Sequence, residues 1–228
     1  MKKKFFLSIL VIVCLLAGLI DGCKKDSLDK PPSGIATSFT EEFKDVYKLE
    51  TGGWVIKDNS TPSASATWVQ GEANGVKGGQ SGFPAYSFTT SPDEYIAASA
   101  LFFPSSGYNV SSWLITPVLS LTNGDKISFY SRADTVSVNQ DRMQVRMSTS
   151  TSSDVGDNAN SVGNLTTVLM DINSMQAAGG YPAVWTKYEH TFSGISGKIE
   201  SRIAFRYFIP NTTASAGAIA IDQFKFEK

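Results

Sequence analysis

From Phe39 onward, apolar and polar residues alternate in short bursts, with Gly, Pro, Asn and Ser between them. An alternation of period two places one set of side chains on each face of a strand. The pattern predicts strands over Phe39–Phe43, Trp54–Lys57, Trp68–Gly71, Ala85–Phe88, Ala97–Leu101, Ser112–Ile115, Lys126–Arg132, Arg142–Ser148, Thr166–Asp171, Trp185–Phe192, Lys198–Tyr207 and Ala218–Phe226. A helical period of 3.6 surfaces only briefly, over Glu41–Leu49 and Val168–Met175. Thr122-Asn123-Gly124-Asp125 carries Asn-Gly turn chemistry just before the Lys126 strand. Many short strands at this spacing predict an all-β fold, a sandwich whose strand count suits a jelly roll.

Within the Lys198–Tyr207 strand, Ile203, Phe205 and Tyr207 share one face and Arg202, Ala204 and Arg206 the other. That is the signature of a half-buried strand with solvated arginines. Trp54, Trp113 and Trp185 fall in strand patterns and read as core. Trp68 follows a long polar loop, and Tyr108 and Tyr181 lie in Gly/Pro-rich segments. Aromatic rings at loop positions can stack on sugar faces, so Trp68, Tyr108 and Tyr181 are the candidate ligand-binding residues. The alternative is that they pack beneath their own loops.

The first residues follow different rules. Three lysines precede an apolar run from Phe5 to Ile20, shorter than the roughly 20 residues of a membrane span. A basic start and a short apolar core form the export-signal pattern. The segment Leu19-Ile20-Asp21-Gly22-Cys23 resembles a bacterial lipobox, with Asp21 a departure from its usual small or apolar residue. The resemblance implies that residues 1–22 are a lipoprotein signal peptide and that Cys23 is the acylated first residue of the mature chain. Acyl chains give firm membrane attachment, at about 0.8 kcal/mol per buried CH₂. Residues 23–37, polar and proline-containing, read as a flexible tether, leaving 38–228 as the folded domain. Charged residues directly after the cysteine also resemble surface-export signals of Gram-negative lipoproteins. The expected location is the outer membrane or cell surface.

Composition narrows the chemistry. Setting aside Lys2, Lys3, Lys4 and Asp21 leaves 17 basic against 20 acidic residues, a net charge of −3, which argues against a nucleic-acid partner. The 2 cysteines, Cys14 and Cys23, both precede the domain, which therefore has no disulfide, no thiolate metal site and no cysteine nucleophile. The single histidine, His190, has no Gly-x-Ser-x-Gly elbow to serve, and the chain has no P-loop or dinucleotide fingerprint. A glycosidase needs only two carboxylates, and Glu41/Glu42, Asp93/Glu94, Asp134 and Asp141 are available, with nothing in their spacing to favour that chemistry.

Five blocks resemble one known family. They are Phe39-Thr40-Glu41-Glu42-Phe43 with Gly53-Trp54, Asp58 with a polar loop to Trp68, Ser112-Trp113-Leu114-Ile115-Thr116-Pro117-Val118-Leu119-Ser120-Leu121, Ile127-Ser128-Phe129-Tyr130 with the Val145 strand, and Trp185 with Ile203-Ala204-Phe205-Arg206 and Ile221-Asp222-Gln223-Phe224. In this order they resemble the choice-of-anchor J, or cleaved-adhesin, domain of bacterial surface proteins. The resemblance implies a jelly-roll β-sandwich related to galactose-binding, carbohydrate-binding and MAM-type domains. It also implies a structural calcium ion between Glu42 of the first strand and Asp222 of the last. The loop before Trp68 has the single carboxylate Asp58, so no calcium site is implied there. The expected function is a non-catalytic carbohydrate-binding or adhesive module whose partner is a glycan or a host or surface protein. The alternatives are an assembly accessory that docks a protein partner and, less favoured, a glycoside hydrolase.

Overall fold

A computed structural model describes residues 37–63, 68–74, 82–100, 108–135, 138–210 and 216–228. The export signal, Cys23 and nearly all of the tether lie outside the described residues. Two antiparallel sheets face each other. The first combines β1 (Phe39–Glu41), β3 (Trp68–Gln70), β4 (Ile96–Ser99), β7 (Lys126–Ala133), β10 (Thr186–Thr191) and β13 (Ala218–Glu227). Its order is β10-β7-β13-β4-β3, with β1 paired to the C-terminal half of β13. The second combines β2 (Val55–Asp58), β5 (Val110–Ile115), β8 (Met143–Met147), β9 (Thr167–Ile172) and β12 (Ile203–Ile209), in the order β2-β5-β12-β8-β9. A short pair, β6 (Leu119–Leu121) with β11 (Ile199–Ser201), closes one side. The expected all-β sandwich is the architecture found.

Alternation builds the core. Phe129 of β7 and Phe224 of β13 point inward from the first sheet and Phe205 of β12 from the second. Phe205 meets the other two edge-on at 4.9 and 5.8 Å. Trp54 packs edge-on against Phe43 and Phe224, and all five rings are at most 1% exposed. Each such side chain contributes about 1.5–3 kcal/mol of hydrophobic burial.

The structure departs from the predicted elements in several places: β6 is not among the predicted strands, and the briefly helical Val168–Met175 stretch is mostly strand β9. Ala85–Phe88 is a loop, because it lies across the outer face of the first sheet, where Ser87 N–H donates to Asp222 (3.0 Å). Glu41–Leu49 does not form one helix. Asp45 caps a 3-10 helix over Val46–Gly52, and Gly53, at φ 87°, ends it in the left-handed region. The Lys198–Tyr207 stretch splits at Arg202, whose guanidinium donates to the carbonyls of Thr116 (2.6 Å) and Thr151 (2.7 Å).

Candidate functional site

Several loops converge at one end of the sandwich: the link from β7 to β8, the link from β9 to β10, and the residues just before β5 and β13. Asp141 stands at the end of the first link, 1% exposed. Its Oδ1 accepts from the Tyr207 hydroxyl of β12 (2.5 Å) and from Gly217 N–H (3.0 Å). Its Oδ2 has no hydrogen-bond partner among the described residues. Burial pushes its pKa up to about 7; the two donors oppose the shift and nearby Asp134 reinforces it.

A cavity of about 110 Å³ opens beside this carboxylate. Asp134, Asn139 and Asp141 form its polar wall, and Ala133, Tyr181 and Ala183 its apolar wall. The Asn139 amide donates to both Asp134 oxygens (3.1 and 3.3 Å), which fixes that side of the wall. The Tyr181 ring is 4% exposed, and its hydroxyl lies 2.6 Å from Ser131 Oγ. The same two inter-strand links carry exposed apolar side chains: Val138 on one, Met175 and Val184 on the other. The cavity holds more than one water but is smaller than a whole drug-sized pocket, so it suits one end of a larger ligand.

The candidate rings divide. Tyr108 and Tyr181 come together near Asp141: burial raises the pKa of both phenols, and the charge of Asp141 adds to each shift. Trp68 lies apart on β3, opposite Ala98. At 3–5% exposure all three rings sit in the core and present no open stacking face, the packed alternative noted above. Asp141 was legible only as one of several available carboxylates. The feature that sets it apart, an acceptor left without a donor, exists only in three dimensions.

Asp222 is 0% exposed on the outer face of the first sheet. A bulge between Asp222 and Lys225 puts Gln223 at φ 47°, and Gln223 N–H donates to Asp222 Oδ1 (2.6 Å). Ser87 N–H and the Tyr86 backbone also donate to this carboxylate. Burial raises its pKa to about 7, and the carboxylate of Glu42 adds to the shift. Calcium needs six to eight oxygens. Here two carboxylates meet, and three backbone N–H dipoles turn their positive ends toward one of them. No cluster of three or more carboxylate, His or Cys side chains occurs among the described residues. Glu42 and Asp222 therefore do not by themselves make a calcium shell.

One correction concerns arginine. Arg206 is 2% exposed rather than solvated, because the link between β8 and β9 folds over the outer face of the second sheet. Its guanidinium donates to Ser111 Oγ (3.1 Å), to Gln144 Oε1 (3.3 Å) and to the Ala159 carbonyl, and lies 3.6 Å from the Phe208 ring centre. Every contact is a neutral acceptor or a ring, and burial lowers its pKa to about 9. Glu94 is likewise fully engaged: despite burial, donors from Thr89, Thr90 and Ser91 hold its pKa down to about 2. A carboxyl group with that pKa is a poor general acid near neutrality.

No family model matches the chain, and no curated protein sequence matches it significantly. Solved structures do. The K1 cleaved adhesin domain of Lys-gingipain from Porphyromonas gingivalis W83 superposes with a TM-score of 0.51 at 17% identity, over 84% of this chain and 98% of that domain. The K2 cleaved adhesin domain of Lys-gingipain gives 0.51 at 18% identity, over the same shares. A family 35 carbohydrate-binding module from Clostridium thermocellum is more distant, at 0.36 and 13% identity, over 84% of this chain and 98% of that module. The chain thus has the β-sandwich fold of the adhesin domains. Among the described residues no helix is long and apolar enough to cross a membrane.

Proposed function

We propose that the chain is a lipid-anchored surface module that binds glycan without catalysis, at the loop end of its sandwich. The observation that carries this reading is the loop-end cavity, lined by Asp134, Asn139 and Asp141 together with Ala133, Tyr181 and Ala183, polar and apolar groups side by side. Sugars present hydroxyl donors beside apolar C–H faces, which is the complement of such walls. The lipobox-like segment ending at Cys23 and the adhesin-domain fold are consistent with a tethered surface role. The test is a glycan array probed with residues 38–228, alongside mass spectrometry of the mature N-terminus. Glycan binding without release of reducing ends, and an acylated Cys23, are the expected results. Absence of any glycan signal overturns the reading.

A protein-docking accessory is the second reading. It is favoured by the exposure of Val138 (60%), Met175 (88%) and Val184 (68%) on the links that border the cavity. An isolated exposed apolar residue is ordinary, but three on adjoining links fit a contact surface.

A further inference from the structure

We infer that the outer face of the first sheet carries a second glycan contact, a shelf on which the open face of the Tyr86 ring stacks against a pyranose. The inference rests on the glycan-binding reading and extends the ligand from the loop end along β7 and β10.

Register builds the shelf. Tyr130 of β7 lies opposite Lys187 of β10 on one side and opposite Asp222 of β13 on the other. Directly opposed residues point to the same face, so the three form one row across the sheet. Tyr86, from the 82–95 loop, lies on Tyr130 with ring centres 3.5 Å apart and planes 14° from parallel. That stack covers one face of the Tyr86 ring, and the residue remains 44% exposed. Phe88, two residues on, is 52% exposed. The loop beneath these rings is tied down at two points. Asp222 accepts from the backbone of Tyr86 and Ser87, and Glu94 accepts from the N–H groups of Thr89, Thr90 and Ser91. A ring fixed in advance loses little freedom when a ligand arrives.

The groups around the ring select the ligand. Lys187 and Glu189 form an ion pair at 2.7 Å, each side chain about half exposed. In the next row Glu189 lies opposite Ser128, which lies opposite Lys225. A pyranose sets its C–H face on the ring and offers hydroxyls to the neighbouring ammonium and carboxylate groups. The core of a protein interface is instead depleted of Lys and Glu, which here adjoin the ring directly. The shelf also continues the loop-end site. Ala133, a lining residue of the cavity, precedes β8 on the same strand as Tyr130, about 10 Å away at the rise of an extended chain. A glycan chain held at the cavity therefore reaches the shelf, whereas a single sugar does not.

The test applies residues 38–228 to an array that carries each neutral and acidic glycan in a short and a long form. The variants are Tyr86→Ala, Tyr86→Phe and the control Tyr47→Ala, whose tyrosine is 85% exposed on the 3-10 helix. Wild type should bind long forms more tightly than short ones. Tyr86→Ala should weaken the long forms by roughly five- to tenfold and leave the short forms unchanged. Tyr86→Phe, which keeps the ring, should stay within about twofold of wild type, as should Tyr47→Ala. A second measurement needs no variant: the long glycans should protect Tyr86, and not Tyr47, from nitration by tetranitromethane, read by peptide mass spectrometry. Long-glycan binding that is untouched by Tyr86→Ala, without protection of Tyr86, overturns the inference and leaves the loop-end reading standing. Tyr86→Phe as weak as Tyr86→Ala makes the contact a hydroxyl hydrogen bond and overturns the stacking. A protein partner lost in Tyr86→Ala while glycan binding holds makes this face a protein contact and overturns it too. Absence of all glycan binding overturns the reading and the inference together.

Discussion

Asp141 and Asp222 are both buried carboxylates in one small sandwich, and burial pushes both to a pKa of about 7. Their surroundings differ in one respect. Asp222 receives backbone donors from Tyr86, Ser87 and Gln223, spread over both oxygens. Among the described residues Asp141 receives two donors on one oxygen and none on the other, and the residue lines a cavity. A buried charge alone therefore does not mark a binding site. Asp222 organises a bulge and pins the 82–95 loop to the sheet, whereas Asp141 lines the cavity with its donors all on one oxygen. The contrast lies in where the donors go.

Truncation to alanine gives the widest separation. Asp222→Ala leaves three backbone N–H groups without their acceptor, at about 1–3 kcal/mol for each one that water cannot reach. Since Tyr86 is exposed and Ser87 half-buried, the expected net loss is roughly 2–3 kcal/mol, or about 5–10 °C in melting temperature for a domain of this size. Asp141→Ala enlarges a space that water can fill and should cost about half as much. Thermal melts of the two variants check this, and a larger loss for Asp141→Ala would reverse the assignment of roles.

Asparagine sharpens the contrast by changing its sign. A carboxyl group whose folded pKa lies above its ordinary value of 3.8 contributes stability that is fully present below pH 4. That stability is lost as pH rises through about 7. At pH 8 the wild type therefore holds two ionised buried carboxylates. Asp141→Asn removes one charge, and its amide oxygen can still accept from Tyr207 and Gly217. It should raise the melting temperature at pH 8 by about 3–5 °C, a gain of roughly 1–2 kcal/mol, with little change at pH 4. Asp222→Asn points an N–H₂ group at backbone N–H donors and should lower the melting temperature at pH 8. Melts at the two pH values would show a common sign if the donor count were immaterial.

Much of this architecture was legible along the chain. The alternation of Ile127 with Phe129, and of Ile203, Phe205 and Tyr207, foretold which side chains fill the space between the sheets. The Trp113–Leu121 block behaved as a unit: Thr116 Oγ1 accepts from Ile203 N–H (3.0 Å), which ties β5 to β12 at the turn into β6. Tertiary contacts overrode local pattern in other places. Ala85–Phe88 has strand composition but spends its hydrogen bonds on Asp222 and Pro92. Arg206 sits on the polar face of its strand, yet the link between β8 and β9, which has little periodicity, covers it. The candidate site was half legible. Tyr108 and Tyr181 were singled out as rings and do cluster, but with their faces packed. The unpartnered oxygen of Asp141 depends on which donors arrive from β12 and from Gly217, a matter of register between distant segments.

Gly217 offers a finer test, because it borders the Asp141 site alone. A Cβ built there would lie 2.5 Å from Asp134 Oδ2 and closer still to Asn139 Nδ2. Gly217→Ala should push both side chains into the cavity while keeping the backbone N–H on Asp141 Oδ1. Glycan affinity should fall by about tenfold, with a melting temperature within roughly 2–4 °C of wild type. Unchanged affinity would place the ligand elsewhere, for example on the exposed rim of Val138 and Val184.

The smallest expected effect concerns calcium at the other carboxylate. A ligand that binds only the folded state stabilises it by about 2.7 kcal/mol at a hundredfold excess over its dissociation constant. Such a gain would move the melting temperature by several degrees. Asp222 already has its charge met by three amide donors, and those dipoles oppose a cation placed against the same oxygens. Among the described residues Glu42 is the carboxylate whose charge adds to the Asp222 shift, and no cluster of three or more metal-ligating side chains occurs. Millimolar calcium against excess EDTA should therefore shift the melt by less than about 1 °C. A rise of several degrees that Glu42→Gln removes would show that Glu42 and backbone carbonyls complete a shell after all. The two buried aspartates would then differ in that Asp222 holds a cation, and no longer only in where their donors go.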